Sequence, residues 1–219
     1  MLRVGTLCLT VLILGGIGWA AEQLSGPGPG DPQLVVFVYN DASVPTHLVT
    51  DAEKEASRIF RRISVEVTWI NCLLRHSQDT ASVAPVSSTR LFVRIAPRAV
   101  KLSDAIFGVA FLGSDGNGRY ADVFFDCVRR LRAEEADVSE ARVLAYVMAH
   151  EIGHLLLGSN AHSEVGIMEP RWYAAELRNI EMGRLAFTRT ECEKIYRRLE
   201  KEAQQAHNPI TLATRRFLE

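Results

Sequence analysis

His150-Glu151-Ile152-Gly153-His154 sets two imidazoles four residues apart, with a carboxylate directly after the first. On a helix such residues share one face, so both rings can bind a single ion while Glu151, one position round, reaches a water held there. Zinc gripped by neutral imidazoles, with one coordination position open, lowers the pKa of its water to about 7. A neighbouring carboxylate then takes the proton as the oxygen attacks a polarised carbonyl. The motif therefore points to metal-assisted hydrolysis, with His150 and His154 as ligands and Glu151 as general base. The plain alternative is a helix with two exposed His. Val143, Leu144, Val147, Ile152, Leu155 and Leu156 on the same segment argue against it, because they place the pair in a protected groove.

Catalytic zinc usually takes three protein ligands. Gly158 reads as the helix stop, Ser159, Asn160 and Ala161 fill a turn, and His162 arrives near enough to fold back to the same ion. Glu176 is a competing third ligand, a downstream carboxylate of the gluzincin kind; Glu164 and Glu169 are more remote. Met168 fits either an apolar floor beneath the imidazoles or simple core filling. Trp69 and Trp172 read as packing residues, and Tyr173 as a surface residue with a conceivable oxyanion role. His47, His76 and His207 have no ligand-spaced partner.

These side chains need a scaffold, and the chain supplies one. Leu34 to Tyr39 is a continuous apolar run, the pattern of a strand buried on both faces. From Pro45 to about Arg62, Leu48, Val49, Ala52, Ala56, Ile59 and Phe60 recur at helical spacing. Val65 to Trp69 alternates as a half-buried strand, Leu91 to Ile95 is another, and a Ser/Thr-rich loop separates them from about Asn71 to Ser88. Phe107 to Leu112 and Ala121 to Cys127 read as two further strands around the turn-rich segment 113–118, in which Asp115 and Asn117 make the turn more readily than they hold calcium. Asp137 is the expected cap of a helix running to Gly158; an irregular stretch to about Thr188 and a polar helix from about Glu191 to Gln204 follow. The order of elements implies an α/β (α+β) domain with a mixed sheet and a small C-terminal subdomain.

With 219 residues, 47% hydrophobic and 23% charged, the chain suits one globular domain and excludes overall disorder. Its 25 basic and 26 acidic residues give no basic face for a nucleic acid. Arg3 followed by an uncharged stretch to Trp19 and small residues at Gly18 and Ala20 is the layout of a secretory signal peptide, with cleavage expected after Ala20. The expected organisation is a signal segment over 1–20, a Pro/Gly-rich linker over 21–32, the zinc domain over 33–204 and a tail over 205–219. The destination is secretion or the periplasm, with no stable membrane span left. Cys72, Cys127 and Cys192 remain; a Cys72–Cys127 bridge is conceivable, and three small buried hydrophobes is the equal alternative.

The segment from His150 through Gly158 to His162-Ser163, continued by Gly166-Ile167-Met168-Glu169-Pro170, resembles the zinc-binding region of the metzincin metallopeptidases, nearest to matrixin-like members. The turn before His162 is longer than the usual metzincin spacing. The resemblance implies Zn²⁺ on His150, His154 and His162, Glu151 as base and Met168 in a Met-turn. It also implies a mixed, mostly parallel five-stranded sheet with an active-site helix, whose antiparallel edge strand, here Phe107 to Leu112, pairs with an extended peptide or protein substrate. Two other functions share these residues: a zinc-containing peptide-binding protein without turnover, and a zinc amidase acting on a non-peptide amide.

Overall fold

Leu34 to Val38 are all 3% exposed or less, because they occupy the middle of a sheet with strands on both sides. In the computed structural model, which describes residues 33–72, 88–99, 106–134 and 137–207, five strands form that sheet: β1 (Gln33–Asn40), β2 (Glu66–Cys72), β3 (Thr89–Ala96), β4 (Gly108–Phe111) and β5 (Tyr120–Phe124), in the order β2-β1-β3-β5-β4. β1 runs parallel to β2 and β3, and β3 parallel to β5. Only β4 runs against its neighbour, and it lies at one edge of the sheet, with β2 at the other. The mixed, mostly parallel five-stranded sheet expected from the sequence is therefore present. The signal segment, the linker and the tail beyond His207 lie outside the described residues. Among the described residues no helix is long and apolar enough to cross a membrane.

α1 (Thr46–Arg61) links parallel β1 and β2 and buries Val49, Ala52, Ala56, Ile59 and Phe60, the stripe its periodicity defines. α3 (Glu140–Leu157) behaves differently. Every side chain from Val143 to Leu156 is buried, as expected of a helix that is apolar on all sides and packed within the domain. α1, α2 (Phe125–Glu134), α4 (Ala174–Glu181) and α5 (Arg189–His207) all touch it, as do β3, β4 and β5. Truncating a buried leucine such as Leu144 would cost about 2–5 kcal/mol.

Several local expectations need correction. The run Ala121 to Cys127 is not one strand: β5 ends at Phe124 and α2 begins at Phe125, burying Cys127, Val128 and Leu131 at helical spacing. β2 continues past Trp69 to Cys72, because Phe37 and Tyr39 pair there with Ile70 and Cys72. Ser139, not Asp137, stands at the cap of α3, and it makes no side-chain capping bond. The stretch after Gly158 contains α4, and α5 begins at Arg189, where Thr188 and Glu191 bond to each other's backbone N–H. Cys72, Cys127 and Cys192 are free thiols. Cys72 ends β2 while Cys127 follows β5, and three strand spacings of about 4.8 Å put the two beyond the reach of a disulfide. Asp115 accepts from the Asn117 backbone N–H at 2.9 Å, so this pair makes the hairpin turn.

Candidate metal centre

His150 and His154 project from the same face of α3, one turn apart, and both are nearly inaccessible, at 2% and 4%. Their orientation is fixed by backbone carbonyls. The His150 Nδ1 lies 2.7 Å from the Ile167 oxygen and the His154 Nδ1 2.8 Å from the Ser159 oxygen. A carbonyl only accepts, so each Nδ1 carries the proton and each Nε2 is left with a bare lone pair. Those two Nε2 atoms stand 3.1 Å apart. With no proton to share, the approach is repulsive, and a cation bound by both relieves it. The donor set thus fits a metal on its own chemistry.

Gly158 ends α3 in the left-handed region (φ 64°) and donates its N–H to the His154 carbonyl, which reverses the chain. The turn that follows returns His162 to the pair. Its ring centroid is 5.4 Å from that of His150 and 4.9 Å from that of His154, and the three donor atoms lie within 4.8 Å of one another. The longer turn therefore does deliver the third imidazole. Ser163, next in sequence, is tied down twice: its N–H donates to the Met168 carbonyl at 2.9 Å, and its hydroxyl donates a short hydrogen bond to the buried Glu191 at the start of α5.

The competing carboxylates are occupied elsewhere. Glu176 accepts from the Tyr173 N–H at 2.9 Å and so starts α4, while Glu169 accepts from the Gly166 N–H at 2.8 Å. Neither joins the imidazoles, and Glu164 is not part of the cluster.

Glu151 is 2% exposed, and one of its carboxylate oxygens has no hydrogen-bond partner among the described residues. Burial, with a smaller contribution from the Asp122 charge, pushes its pKa up to about 8. Burial moves the imidazoles the opposite way: His150 falls to about 3, helped by its neighbour His154, and His154 and His162 are lowered too. Neutral imidazole is the metal-binding form.

Other side chains frame the imidazoles, and of these Phe107 and Gly108 carried no signal of that role in the sequence. Phe107 sets its ring at 88° to His150 with centroids 5.0 Å apart, and lies against Trp172 at a 31° tilt with centroids 4.2 Å apart; Trp172 meets His150 edge-on at 5.8 Å. Together they wall off the buried side of the first imidazole, so Trp172 packs as expected but does so against a ring of the candidate metal centre. Gly108 has no room for a side chain: a Cβ there would lie 2.8 Å from the Glu151 side chain and 2.1 Å from the Asp122 carbonyl. The sulfur of Met168 sits against the bare Cα of Gly153, one residue before His154. Met168 is fully buried, and its neighbour Ile167 supplies the carbonyl that orients His150.

The imidazoles open into a cleft of about 440 Å³ lined by residues 106–110 of the edge strand and its approach, by His150, Glu151, His154 and His162, and by Asn160, Pro170 and Arg171. Tyr173 is exposed on a neighbouring cavity and is not part of this lining.

No protein-family model and no curated protein matches the sequence. Among solved structures the chain is similar to a zinc-dependent peptidase from Methanocorpusculum labreanum, with 17% identity, TM-score 0.47, and 73% of this chain and 99% of that one covered. It is also similar to metalloproteinase-II from Bacteroides fragilis, with 13% identity, TM-score 0.49, and 77% and 53% covered. Archaemetzincin from Methanopyrus kandleri gives 19% identity, TM-score 0.46, and 80% and 98% covered. These scores are low, and the functional reading rests on the chain's own residues.

Proposed function

We propose that this chain is an exported zinc-dependent endopeptidase in which His150, His154 and His162 hold Zn²⁺ and Glu151 is the general base. The observation that carries the reading is the pair of facing Nε2 lone pairs 3.1 Å apart, each forced by a backbone carbonyl, with a third imidazole and a buried carboxylate beside them.

Zinc, when bound, supplies a Lewis acid for a substrate carbonyl and brings the pKa of a water toward neutrality. The chain's own groups do the rest. Glu151, raised to about 8 by burial, readily holds a proton at neutral pH; the nearby cation favours its carboxylate, which takes a proton from the attacking water and returns it to the leaving amine. β4 is the sheet edge that borders the cleft, so one side of its backbone is free to pair with an extended peptide along residues 108–111. Phe107 and Trp172 keep water from the His150 ring.

Replacing Glu151 with Gln tests this reading. The variant is expected to keep about one zinc per chain and to lose roughly 10²–10⁴-fold in hydrolysis of casein or a peptide library. Hydrolysis at the original rate would reject Glu151 as base.

A further inference from the structure

The two walls of the metal cleft, β4 and the turn that carries His162, meet at a junction away from the imidazoles. Gly116, at the tip of the β4–β5 hairpin, lies against Gly158, the stop of α3. A Cβ on Gly116 would come 2.7 Å from the Gly158 oxygen, and one on Gly158 2.9 Å from the Gly116 oxygen. Arg198 of α5 closes over this junction, donating from Nη1 to the Gly116 carbonyl at 3.4 Å and from Nη2 to the Asn117 Oδ1 at 2.9 Å. Glu202 holds the guanidinium from behind: one oxygen accepts from its Nε at 3.2 Å, and the other accepts the Thr89 hydroxyl, at the start of β3, at 2.7 Å. Asn117 is fixed as well, because its Nδ2 donates to Asp115 at 2.7 Å and leaves the amide oxygen for Arg198. The Gly113 N–H, on the Asn117 carbonyl at 2.8 Å, closes the loop on itself, so the tip moves with β4 as one piece.

We propose that Arg198 is a positioning residue for substrate: by pinning the hairpin to Gly158 it holds the far end of β4 where an extended peptide can pair with it. The proposal rests on the peptidase reading and deepens it. β4 is four residues long and pairs with the sheet on one side only. Its first residue, Gly108, is wedged between the Asp122 carbonyl and the Glu151 side chain, whereas its last, Phe111, is 53% exposed and runs into the loop. Because Glu151 lies at the Gly108 end, the reacting bond belongs there, and Phe111 stands about 10 Å further along the strand. Only a peptide that extends well beyond the reacting bond reaches the part of β4 that Arg198 steadies. The turn of His162 has its own anchor on the same helix, Glu191, about two helical turns before Arg198. Substrate positioning and metal binding therefore separate. A guanidinium suits the task, since its planar fork of donors serves a carbonyl, an amide oxygen and a carboxylate at once.

The test uses the zinc-loaded protein and a casein-derived peptide that the wild type cleaves, prepared with four residues on each side of the scissile bond and again with two. Arg198→Gln is expected to raise KM for the long peptide about tenfold, with kcat, the short peptide's KM and the zinc content each within about twofold of the wild type. Asn117→Ala removes an acceptor from the other side of the clasp and is expected to act in the same direction, with little further effect when combined with Arg198→Gln. It also serves if Arg198→Gln fails to fold. Hydrogen exchange gives a readout that needs no substrate: the amides of Gly113 and Gly116 are expected to exchange at least about tenfold faster in either variant, with those of α3 unchanged. Unchanged hairpin exchange in a folded Arg198→Gln protein, an equal rise in KM for both peptides, or loss of zinc overturns the assignment. Faster hairpin exchange in the variants of a protein that cleaves no peptide would uphold the clasp and count against the peptidase reading alone.

Discussion

The donor set draws on two regions that hold their residues by different means. His150 and His154 stand on α3, where every side chain from Val143 to Leu156 is buried and the helix itself spaces the two rings. His162 stands in irregular chain, exposed, and reaches the pair through a turn set by Gly158 and pinned by Ser163. In the first region position follows from secondary structure and packing. In the second it depends on a few named contacts, any one of which can be removed without touching the core. A turn of unusual length is tolerable because its end is anchored to Met168 and Glu191 and not by its own geometry.

Substituting each donor sharpens that contrast most. His150→Ala and His154→Ala are expected to lower zinc affinity by well over the ~10–100-fold that typifies loss of an outer-shell partner, and His162→Ala by less, as followed by competition with a chromogenic chelator. Equal losses from all three would show that the turn holds its imidazole as firmly as the helix does.

Glu191→Ala probes the anchor of the turn. It removes the acceptor of the Ser163 hydroxyl without touching a ligand, so zinc affinity is expected to fall by roughly 10–100-fold with His150 and His154 still in place. Since Glu191 also caps α5, a Ser163→Ala variant separates the two effects: if affinity is unchanged there, the anchor is not what delivers His162.

Gly158→Ala and Gly153→Ala act on the two regions separately. At Gly158 the left-handed backbone adds about 1–2 kcal/mol of strain, and the new Cβ would meet Arg198 and the Gly116 carbonyl at 2.7 and 2.9 Å. At Gly153 the Cβ would lie 2.6 Å from the Met168 sulfur, and overpacking of that kind costs about 1–3 kcal/mol. Both are expected to lower the Tm of the chelator-treated protein, with Gly158→Ala weakening zinc binding more for the same loss of Tm.

The last contrast is the pH dependence of the metal-free protein. Unfolded imidazoles protonate below their ordinary value of 6.5, whereas folded His150 stays neutral down to about 3 and His154 and His162 are also lowered. The unfolded chain therefore binds more protons in that window, and stability falls as pH falls through it. Glu151 has the opposite sign: between 4.5 and about 8 its folded form keeps a proton that the unfolded chain has released, so its contribution is lost as pH rises toward 8. Chelator-treated protein is expected to have its highest Tm near pH 6.5, and Glu151→Gln to flatten only the alkaline side. An acidic side flattened by that variant instead would contradict the assignment.

The sequence made the helix-borne half legible because its information is periodic: His, Glu and His at fixed offsets among buried aliphatics define a face without any knowledge of the fold. Gly158 and His162 were legible as a stop and a return. α2 was not, since the apolar run through Ala121 to Cys127 passes from strand to helix without a break, and only Val128 and Leu131 beyond it carry the helical period. α4 was hidden by its length, eight residues with Leu177 and Ile180 as its buried side chains. Gly108, Phe107, Trp172 and Glu191 were silent for another reason. Their roles exist only through contacts made across the fold, where spacing along the chain says nothing.

Anomalous diffraction at the zinc absorption edge, on crystals of the zinc-loaded protein, tests the central claim most directly. One peak per chain is expected, about 2.0–2.1 Å from the Nε2 atoms of His150 and His154 and from a ring nitrogen of His162. A peak elsewhere, or a zinc held by the helix pair with His162 turned to solvent, would contradict it.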